Sequence, residues 1–314
     1  MTKQRNEARD RRGAGRRVVL AGGSGLIGGA LEWELRSRGF GITRLVRRPP
    51  RTDDEVEWLT DGDRLDPSVL ESADAVVCLN GASIGKLPWT PAYRRELRES
   101  RLIPTRAIAT ALRELGASGG EAPAFLSASA VGFYGDRPGE ELDETSGPGG
   151  TFLAELCVEW EREARAAGSA SRVVLLRTAP LLHRRGVLKP LLTLTRLGLS
   201  GPLGRGTQIW PWISLDDEVR AIRHLVDADV EGPVNLTGPV SASASETGRE
   251  LARAMHRPYV VPAPAFALRL ALGRDAADSL LLADARVRPA VLERTGFSFE
   301  QRTVRETIAA ALSE

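Results

Sequence analysis

A glycine-rich turn directly after a short apolar run is the feature that most constrains the fold of this chain. Arg17–Ala21 is mostly apolar, Gly22–Gly28 reads Gly-Gly-Ser-Gly-Leu-Ile-Gly, and apolar residues at helical spacing follow. The pattern predicts a strand, a tight turn and a helix. In a βαβ unit, such a turn lets the backbone approach a diphosphate, and the helix N-terminus supplies N–H donors. We predict that a dinucleotide is bound by Gly22, Ser24, Gly25, Leu26, Ile27 and Gly28.

Further apolar runs alternate with segments of helical spacing. Runs at 41–46, 75–79, 124–127 and 172–176 are typical of strands buried on both faces, which indicates a parallel sheet. We predict an α/β fold, a Rossmann-type doubly wound parallel sheet with a small, mostly helical C-terminal lobe. The predicted division is a disordered basic tail at 1–16, a dinucleotide-binding domain at 17–180 to which 215–238 returns, and a smaller substrate lobe at 181–214 and 239–314.

Composition and charge exclude several classes of protein. No window of about 18 apolar residues lacks a charge, so no membrane span is expected, and the polar N-terminus lacks the apolar core of a signal peptide. Cys78 and Cys157 lie in apolar runs without metal-ligand spacing. Outside residues 1–17 the chain is slightly acidic and offers a nucleic acid no basic face. We expect a cytoplasmic protein without a metal, nucleic-acid or membrane partner.

The end of the second predicted strand bears on the choice of cofactor. An NAD site places an acid there, whereas the 2′-phosphate of NADP favours arginine. This chain has Arg47 and Arg48, and no acid before Asp53. With 40 arginines in the chain, any single one is weak evidence. The pair favours NADP(H), and NAD stays open as the alternative.

Several motifs resemble those of a known family. Residues 21–28, 79–82 and 127–136 resemble extended short-chain dehydrogenase/reductases. Residues 89–90, 100–101, 152–155, 212–217 and 296–299 narrow the resemblance to atypical NAD-dependent epimerase/dehydratase-like proteins with a C-terminal domain of unknown function. The resemblance covers nearly everything from residue 17 and implies a Rossmann-type fold and NADP(H) binding. Besides the glycine turn and Arg47, it implies a cofactor site lined by Leu79, Asn80 and Arg101, and we add the adjacent Gly81 to the predicted site.

The resemblance also shows what this chain lacks. Active members carry Tyr-x-x-x-Lys on a helix, where Phe152 and Leu156 stand here, and no tyrosine of the chain has a lysine four residues later. Ser129 occupies the position of the family's catalytic Ser/Thr, and Tyr134 follows it. Because a tyrosine has an ordinary pKa near ~10, Tyr134 would need a neighbouring cation such as Arg101 to transfer protons at neutral pH. Ser129 and Tyr134 are the catalytic candidates.

Two functions therefore stay open. The first is an NADP(H)-binding, epimerase-like oxidoreductase that acts on a small polar or sugar-like substrate. The second is a non-catalytic NADP(H)-binding sensor or regulatory protein, which the missing Tyr/Lys pair favours. Gly81-Ala-Ser83-Ile-Gly85 also matches the nucleophile elbow of hydrolases, but Pro88 and Pro91 predict a loop where an elbow needs a helix.

Overall fold

The computed structural model describes residues 15–313, and its centre is a seven-stranded parallel sheet. The described residues contain eleven strands, of which seven form this sheet and four form two short pairs, β8 with β10 and β6 with β11. They are β1 Arg17–Ala21, β2 Gly41–Val46, β3 Glu55–Glu57, β4 Ala75–Cys78, β5 Ala124–Ala130, β6 Glu141–Leu142, β7 Val173–Thr178, β8 Ile209–Trp210, β9 Gly232–Leu236, β10 Ala242–Ser243 and β11 Arg286–Val287. The order in the sheet is β3-β2-β1-β4-β5-β7-β9, and all of its pairs are parallel. The predicted α/β fold is confirmed.

Helices cover both faces of the sheet. They are α1 Leu26–Ser37, α2 Pro91–Ala117, α3 Phe152–Arg165, α4 Leu188–Arg196, α5 Leu215–Asp227, α6 Ala244–Ala254, α7 Ala265–Leu272, α8 Arg274–Ala277, α9 Ala290–Arg294 and α10 Val304–Ser313. Val18 and Leu20 of β1 face a core that includes residues of α1 and α5, whereas Val19 and Ala21 face the core of α2. Strict alternation in a fully buried strand explains why β1 is continuously apolar.

The strand order places a crevice beside the glycine turn. The chain leaves β1 toward β2 on one side and returns after β3 to β4 on the other, so β1 and β4 flank the switch point. The two strand ends stay in contact, since the amide of Leu79 donates to the carbonyl of Ala21 at 2.9 Å. Ligands of open α/β sheets bind at this point, outside the carboxyl ends of the strands.

A second, smaller core lies in the C-terminal half. Leu188 and Leu192 of α4, Leu251 of α6 and Ile308 of α10 pack around Trp212. Between these segments, α5 and β9 return to the sheet. The division into a sheet domain and a smaller lobe stays a prediction, and we propose it on this packing.

The predicted tail lies largely outside the described residues, which begin at 15. Arg16, its last residue, is described, and its guanidinium pairs with Asp74 and Asp227 beside the first strand. Within 15–313 no helix combines the length and the apolar character that crossing a membrane requires.

Candidate functional site: a dinucleotide crevice

The glycine turn is packed so closely that two of its glycines tolerate no side chain. Gly22 has a φ of +85°, and a Cβ there would lie 2.7 Å from the carbonyl carbon of Leu79. A Cβ on Gly28 would lie 2.8 Å from Gly23 Cα and closer still to the carbonyl oxygen of Gly22. The turn is closed by the amide of Gly25, which donates to Gly22 at 3.1 Å. These contacts hold the start of α1 against the ends of β1 and β4.

The N-terminus of α1 lacks the side-chain cap found on five other helices. Helices α2, α3, α5, α6 and α10 begin with a side-chain oxygen that accepts a backbone N–H bond, from Thr90, Thr151, Ser214, Ser243 and Thr303. The cap of α1 is Gly25, which has no side chain, and the first turn carries no acidic residue. The first-turn N–H groups of a helix have no intrahelical acceptor. Those of α1 are therefore available to an anion in the crevice.

The two arginines after β2 have different environments. Arg48 forms two hydrogen bonds to the carboxylate of Glu55, at 2.7 and 2.8 Å, and these bonds lower the pKa of Glu55 to about 2. Arg47 is exposed, and no hydrogen bond or ion pair of its side chain occurs within residues 15–313. An arginine already paired with a carboxylate has fewer donors left for a phosphate. Arg47 is thus the freer of the two.

Arg101 lies on the opposite wall, where α2 passes the end of β4. Its guanidinium donates to the carbonyls of Leu97 and Ala82, at 2.9 and 3.0 Å, and stacks over the ring of Trp160. A Cβ on Gly81 would lie 3.0 Å from its Cζ. Burial lowers the pKa of Arg101, and within 15–313 it has no carboxylate partner. A part-buried cation without a counter-ion is electrostatically suited to an anionic or hydroxyl-bearing ligand.

Ser129 belongs to a buried polar network. Its hydroxyl donates to Glu161 at 2.8 Å, and Glu161 receives two further bonds from Arg177, at 2.8 and 3.0 Å. Arg177 in turn donates to the hydroxyl of Tyr134 at 3.0 Å. Ser129 and Tyr134, the two catalytic candidates, are therefore joined through an ion pair, with the serine proton directed at Glu161.

Tyr134 is fully buried. Its hydroxyl donates to Oδ1 of Asn235 at 2.7 Å, and burial raises the pKa of Tyr134 to about 12 in spite of the neighbouring Arg177. Both features favour an anchoring role between β5 and β9 over proton transfer to a substrate.

Two apolar side chains, Phe152 and Leu156, stand in the place of the missing Tyr/Lys pair. They pack in a cluster with Trp89, Tyr93 and Ala276 of α8. The guanidiniums of Arg94 and Arg98 lie over the ring of Phe152, 5.2 and 5.6 Å from its centroid. The residues predicted to bind the cofactor, at 22–28, 47–48, 79–81 and 101, lie around the crevice. Ser129 and Tyr134 lie in the buried network instead.

Sequence reasoning missed Glu161, Arg177 and Asn235. The signal was present in part, because Arg177 interrupts the otherwise apolar strand Val-Val-Leu-Leu-Arg-Thr and must be paired if it is buried. The partner could not be read from the sequence, since Glu161 lies 16 residues away among other acids of α3.

The structure also bears on the hydrolase motif and on metals. Ser83 lies in a loop that continues to the start of α2 at Pro91, so no helix follows it as a nucleophile elbow requires. Within the described range, no group of three or more His, Cys, Asp or Glu side chains is arranged to hold a metal ion.

Comparison with known proteins agrees with this geometry. The model of the NAD dependent epimerase/dehydratase family matches residues 18–237, which is most of the chain. The chain belongs to this family. A domain of unknown function, DUF1731, matches residues 263–311 of its C-terminal part. The resemblance drawn from the sequence motifs is confirmed.

Relatives in this family align along nearly the whole chain. An epimerase family protein of Mycobacterium tuberculosis is 39% identical over 297 residues, 94% of this chain and 97% of its own. The crystal structure of the human epimerase family protein SDR39U1 (isoform 2) with NADPH has a TM-score of 0.86 at 29% identity, covering 95% of this chain and 99% of the human one. A nucleoside-diphosphate sugar epimerase of Corynebacterium glutamicum has a TM-score of 0.78 at 30% identity, covering 99% of this chain and 62% of that one.

Proposed function

We propose that this chain binds NADP(H) in the crevice and is an epimerase-like oxidoreductase for a small polar substrate. The diphosphate would lie on the free N–H groups of α1, with Gly22 and Gly28 allowing the close approach. The human relative crystallised with NADPH supports the choice of cofactor by similarity. When bound, the nicotinamide of this cofactor gives or takes a hydride.

The unpaired guanidinium of Arg47 is the observation that carries the proposal. An arginine that binds the 2′-phosphate adds a charge-assisted contact that NADH lacks. Arg47→Ala should weaken NADPH binding about tenfold and leave NADH binding unchanged, as expected for one lost bond to a charged group. The matched control is Arg294→Ala, which removes an exposed arginine of α9 and should alter neither dissociation constant. An equal loss for both cofactors in Arg47→Ala would exclude this role.

Arg101 would provide the cation on the nicotinamide side. The lysine of the usual Tyr/Lys pair is absent, and the part-buried Arg101 faces the loop after β4 with donors beyond those used by Leu97 and Ala82. We propose that it orients the ribose or diphosphate oxygens of this half of the cofactor. Its uncompensated charge would then be neutralised only when the cofactor is bound.

Ser129 is the proposed proton carrier of the oxidoreductase. The hydroxyl of Ser129 donates its hydrogen bond to Glu161, so Oγ is free to accept one from a substrate hydroxyl. When the substrate is oxidised, its hydroxyl proton would pass to Ser129 Oγ as the serine proton passes to Glu161. Ser129→Ala should abolish turnover in a screen of carbonyl compounds and sugar nucleotides, with the dissociation constant for NADPH unchanged. Turnover that survives this substitution would remove Ser129 from the mechanism.

A non-catalytic NADP(H) sensor is the second candidate, and one feature favours it. Both candidate hydroxyls are held by buried partners, and neither Phe152 nor Leu156, which replace the Tyr/Lys pair, can transfer a proton. For a sensor, NADPH should bind without being consumed by any carbonyl compound in the screen, and a partner protein should co-purify only when NADPH is present. NADPH consumption that is lost in Ser129→Ala would decide for the enzyme.

A further inference from the structure

Two segments of the smaller lobe carry basic residues without any acid. Residues 181–214 and 251–274 contain nine Lys and Arg side chains and neither Asp nor Glu. Four of the nine form ion pairs with carboxylates elsewhere, namely Arg205, Arg253, Arg269 and Arg274. The other five are exposed and have no carboxylate partner within residues 15–313: Arg184, Arg185, Lys189, Arg196 and Arg257. The lobe therefore presents positive charge that the molecule does not compensate locally.

The same two segments expose large apolar side chains. Of the eleven that are exposed within residues 15–313, seven lie here: Leu194, Leu197, Leu199, Val260, Val261, Phe266 and Leu270. Helix α7 has no buried residue at all, and Phe266 and Leu270, one turn apart on the same side, are 73% and 86% exposed. An apolar concentration of this kind on a protein surface marks a site of interaction.

Backbone hydrogen bonds join the two segments where residues 200–204 meet residues 260–263. The amides of Val260 and Val261 both donate to the carbonyl of Ser200, at 2.9 and 3.0 Å. Farther along, the amide of Ala263 donates to Pro202 at 2.8 Å and that of Gly204 to Ala263 at 2.9 Å. Leu199 and Val260 are thereby held side by side, and α7 begins two residues after Ala263. We call the seven apolar and five unpaired basic side chains the small-lobe surface.

Helix α4 shows how cations and apolar groups share this surface. Its inner face, with Leu188 and Leu192, is buried in the core of the lobe. Away from this face, the helix carries Lys189, Leu194 and Arg196, and Leu197 follows as its C-cap; all four are exposed. A helix that lies in a membrane interface combines basic side chains, which reach the phosphates, with apolar ones that enter the acyl region.

We propose that the small-lobe surface docks on the surface of a bilayer that contains anionic phospholipid. Charge complementarity carries the choice, because unpaired cations with no acid among them match phosphate headgroups, and each cation near such a surface adds attraction. The exposed apolar side chains, above all Phe266 and Leu270, fit insertion at the acyl boundary of a bilayer. Sequence analysis excluded a membrane partner because no segment can span a bilayer, but docking on its surface requires no span.

Co-sedimentation of the full chain with vesicles tests this proposal. Vesicles of phosphatidylcholine with phosphatidylglycerol should bind the chain, vesicles of phosphatidylcholine alone should not, and added salt should weaken the binding. The double variant Phe266→Ser, Leu270→Ser should bind at least about tenfold more weakly, because it lacks two apolar side chains that would enter the bilayer. The matched control is Trp33→Ser, which removes a 72% exposed apolar residue of α1 and should bind as the unsubstituted chain does.

Other outcomes would overturn the proposal. One such outcome is attraction of the vesicles by the basic N-terminal residues. In that case the triple variant Arg9→Gln, Arg11→Gln, Arg12→Gln would lose binding, and the Phe266/Leu270 variant would bind normally. Absence of binding to the anionic vesicles would also contradict it. Sedimentation velocity separates a last case: a dimer that the Phe266/Leu270 variant dissociates would make the small-lobe surface an interface between copies of this chain. Binding of NADPH should be unchanged in all these variants, so the cofactor site is tested separately.

Discussion

Arg101 is the residue whose substitution most specifically tests the nicotinamide side of the crevice. Arg101→Met should weaken NADPH binding about tenfold, because one or two charge-assisted bonds are lost. It should leave the binding of adenosine 2′,5′-bisphosphate unchanged, since this fragment lacks the nicotinamide half. Both dissociation constants can be measured by fluorescence titration. Arg101→Lys, which keeps a charge, should lose less, and equal losses for both ligands in Arg101→Met would contradict the assignment.

Glu218 makes the stability of the chain depend on pH. It is fully buried in α5, one oxygen accepts from Thr178 at 2.7 Å, the other has no partner within 15–313, and burial raises its pKa to about 8. Since the pKa is higher in the folded state than the ordinary 4.5, its contribution is complete below the unfolded pKa and is lost as pH rises through 8. Glu218→Gln should remove this loss, on the order of a few kcal/mol by about pH 9.

Urea denaturation of both proteins at a series of pH values measures the effect of Glu218→Gln. The free energies of unfolding of the two proteins should diverge as pH rises from about 4.5 to about 8 and stay apart at higher pH, with the variant more stable there. Parallel pH profiles would contradict a pKa of Glu218 that is raised in the folded state.

Tyr134 should matter for stability rather than for cofactor binding. Tyr134→Phe leaves Oδ1 of Asn235 and one donor of Arg177 without their buried partner. Such unmade bonds cost about 1–3 kcal/mol, which a thermal melt detects as a lower Tm. The dissociation constant for NADPH should not change. A loss of turnover without a loss of stability would return Tyr134 to the catalytic candidates.

At the scale of single residues, the sequence predicted which residues belong to the candidate site better than it predicted their hydrogen-bond partners. The glycines, Arg47 and Arg101 could be named because the turn, the strand end and the family motif fix their positions along the chain. Which of Arg47 and Arg48 is free depends on Glu55, which reaches Arg48 from the neighbouring strand β3. The network of Ser129 likewise depends on contacts between residues far apart in sequence, and periodicity carries no information about such contacts.

Two adjacent glycines of α1 provide a matched test of the turn. A methyl group on Gly28 would overlap Gly22 and Gly23, whereas one on Gly29 would lie 3.5 Å from the nearest atom, an ordinary contact. Gly28→Ala should destabilise the chain by about 1–3 kcal/mol, as overpacking does, and weaken NADPH binding by displacing the helix start. Gly29→Ala should stabilise it by about 0.5–1 kcal/mol, because alanine favours the helix. Equal Tm values for the two variants would contradict the close packing of the turn.

At the scale of elements, the strands that are buried on both faces could be predicted from the sequence, and the short ones could not. The long strands of the sheet are continuous apolar runs and were found, whereas β6, β8, β10 and β11 have two residues each and show no periodicity. The apolar run from Leu188 predicts a helix to Leu199, yet α4 ends at Arg196. Gly198, with a φ of +72°, turns the chain there, and the amide of Leu199 bonds back to Leu194. Leu197 and Leu199 therefore lie beyond the helix, and both are exposed.

At the scale of the whole molecule, two features lie beside each other at the edge of the sheet, a crevice and an apolar cluster. The sheet and α1 form a crevice with free N–H groups and unpaired cations, and the C-terminal segment closes an apolar cluster over the place of the missing catalytic pair. The alternation of strands and helices was enough to predict this architecture. The packing of α8 on Phe152 was not predictable, because it joins segments more than 100 residues apart.

Calorimetric titration of the full chain with NADPH tests the central claim, that the crevice binds this cofactor through the turn and Arg47. We predict one site per chain and a dissociation constant about tenfold lower for NADPH than for NADH, since only NADPH offers the 2′-phosphate. A folded sample that releases no heat and shows no thermal stabilisation with either cofactor would contradict the claim.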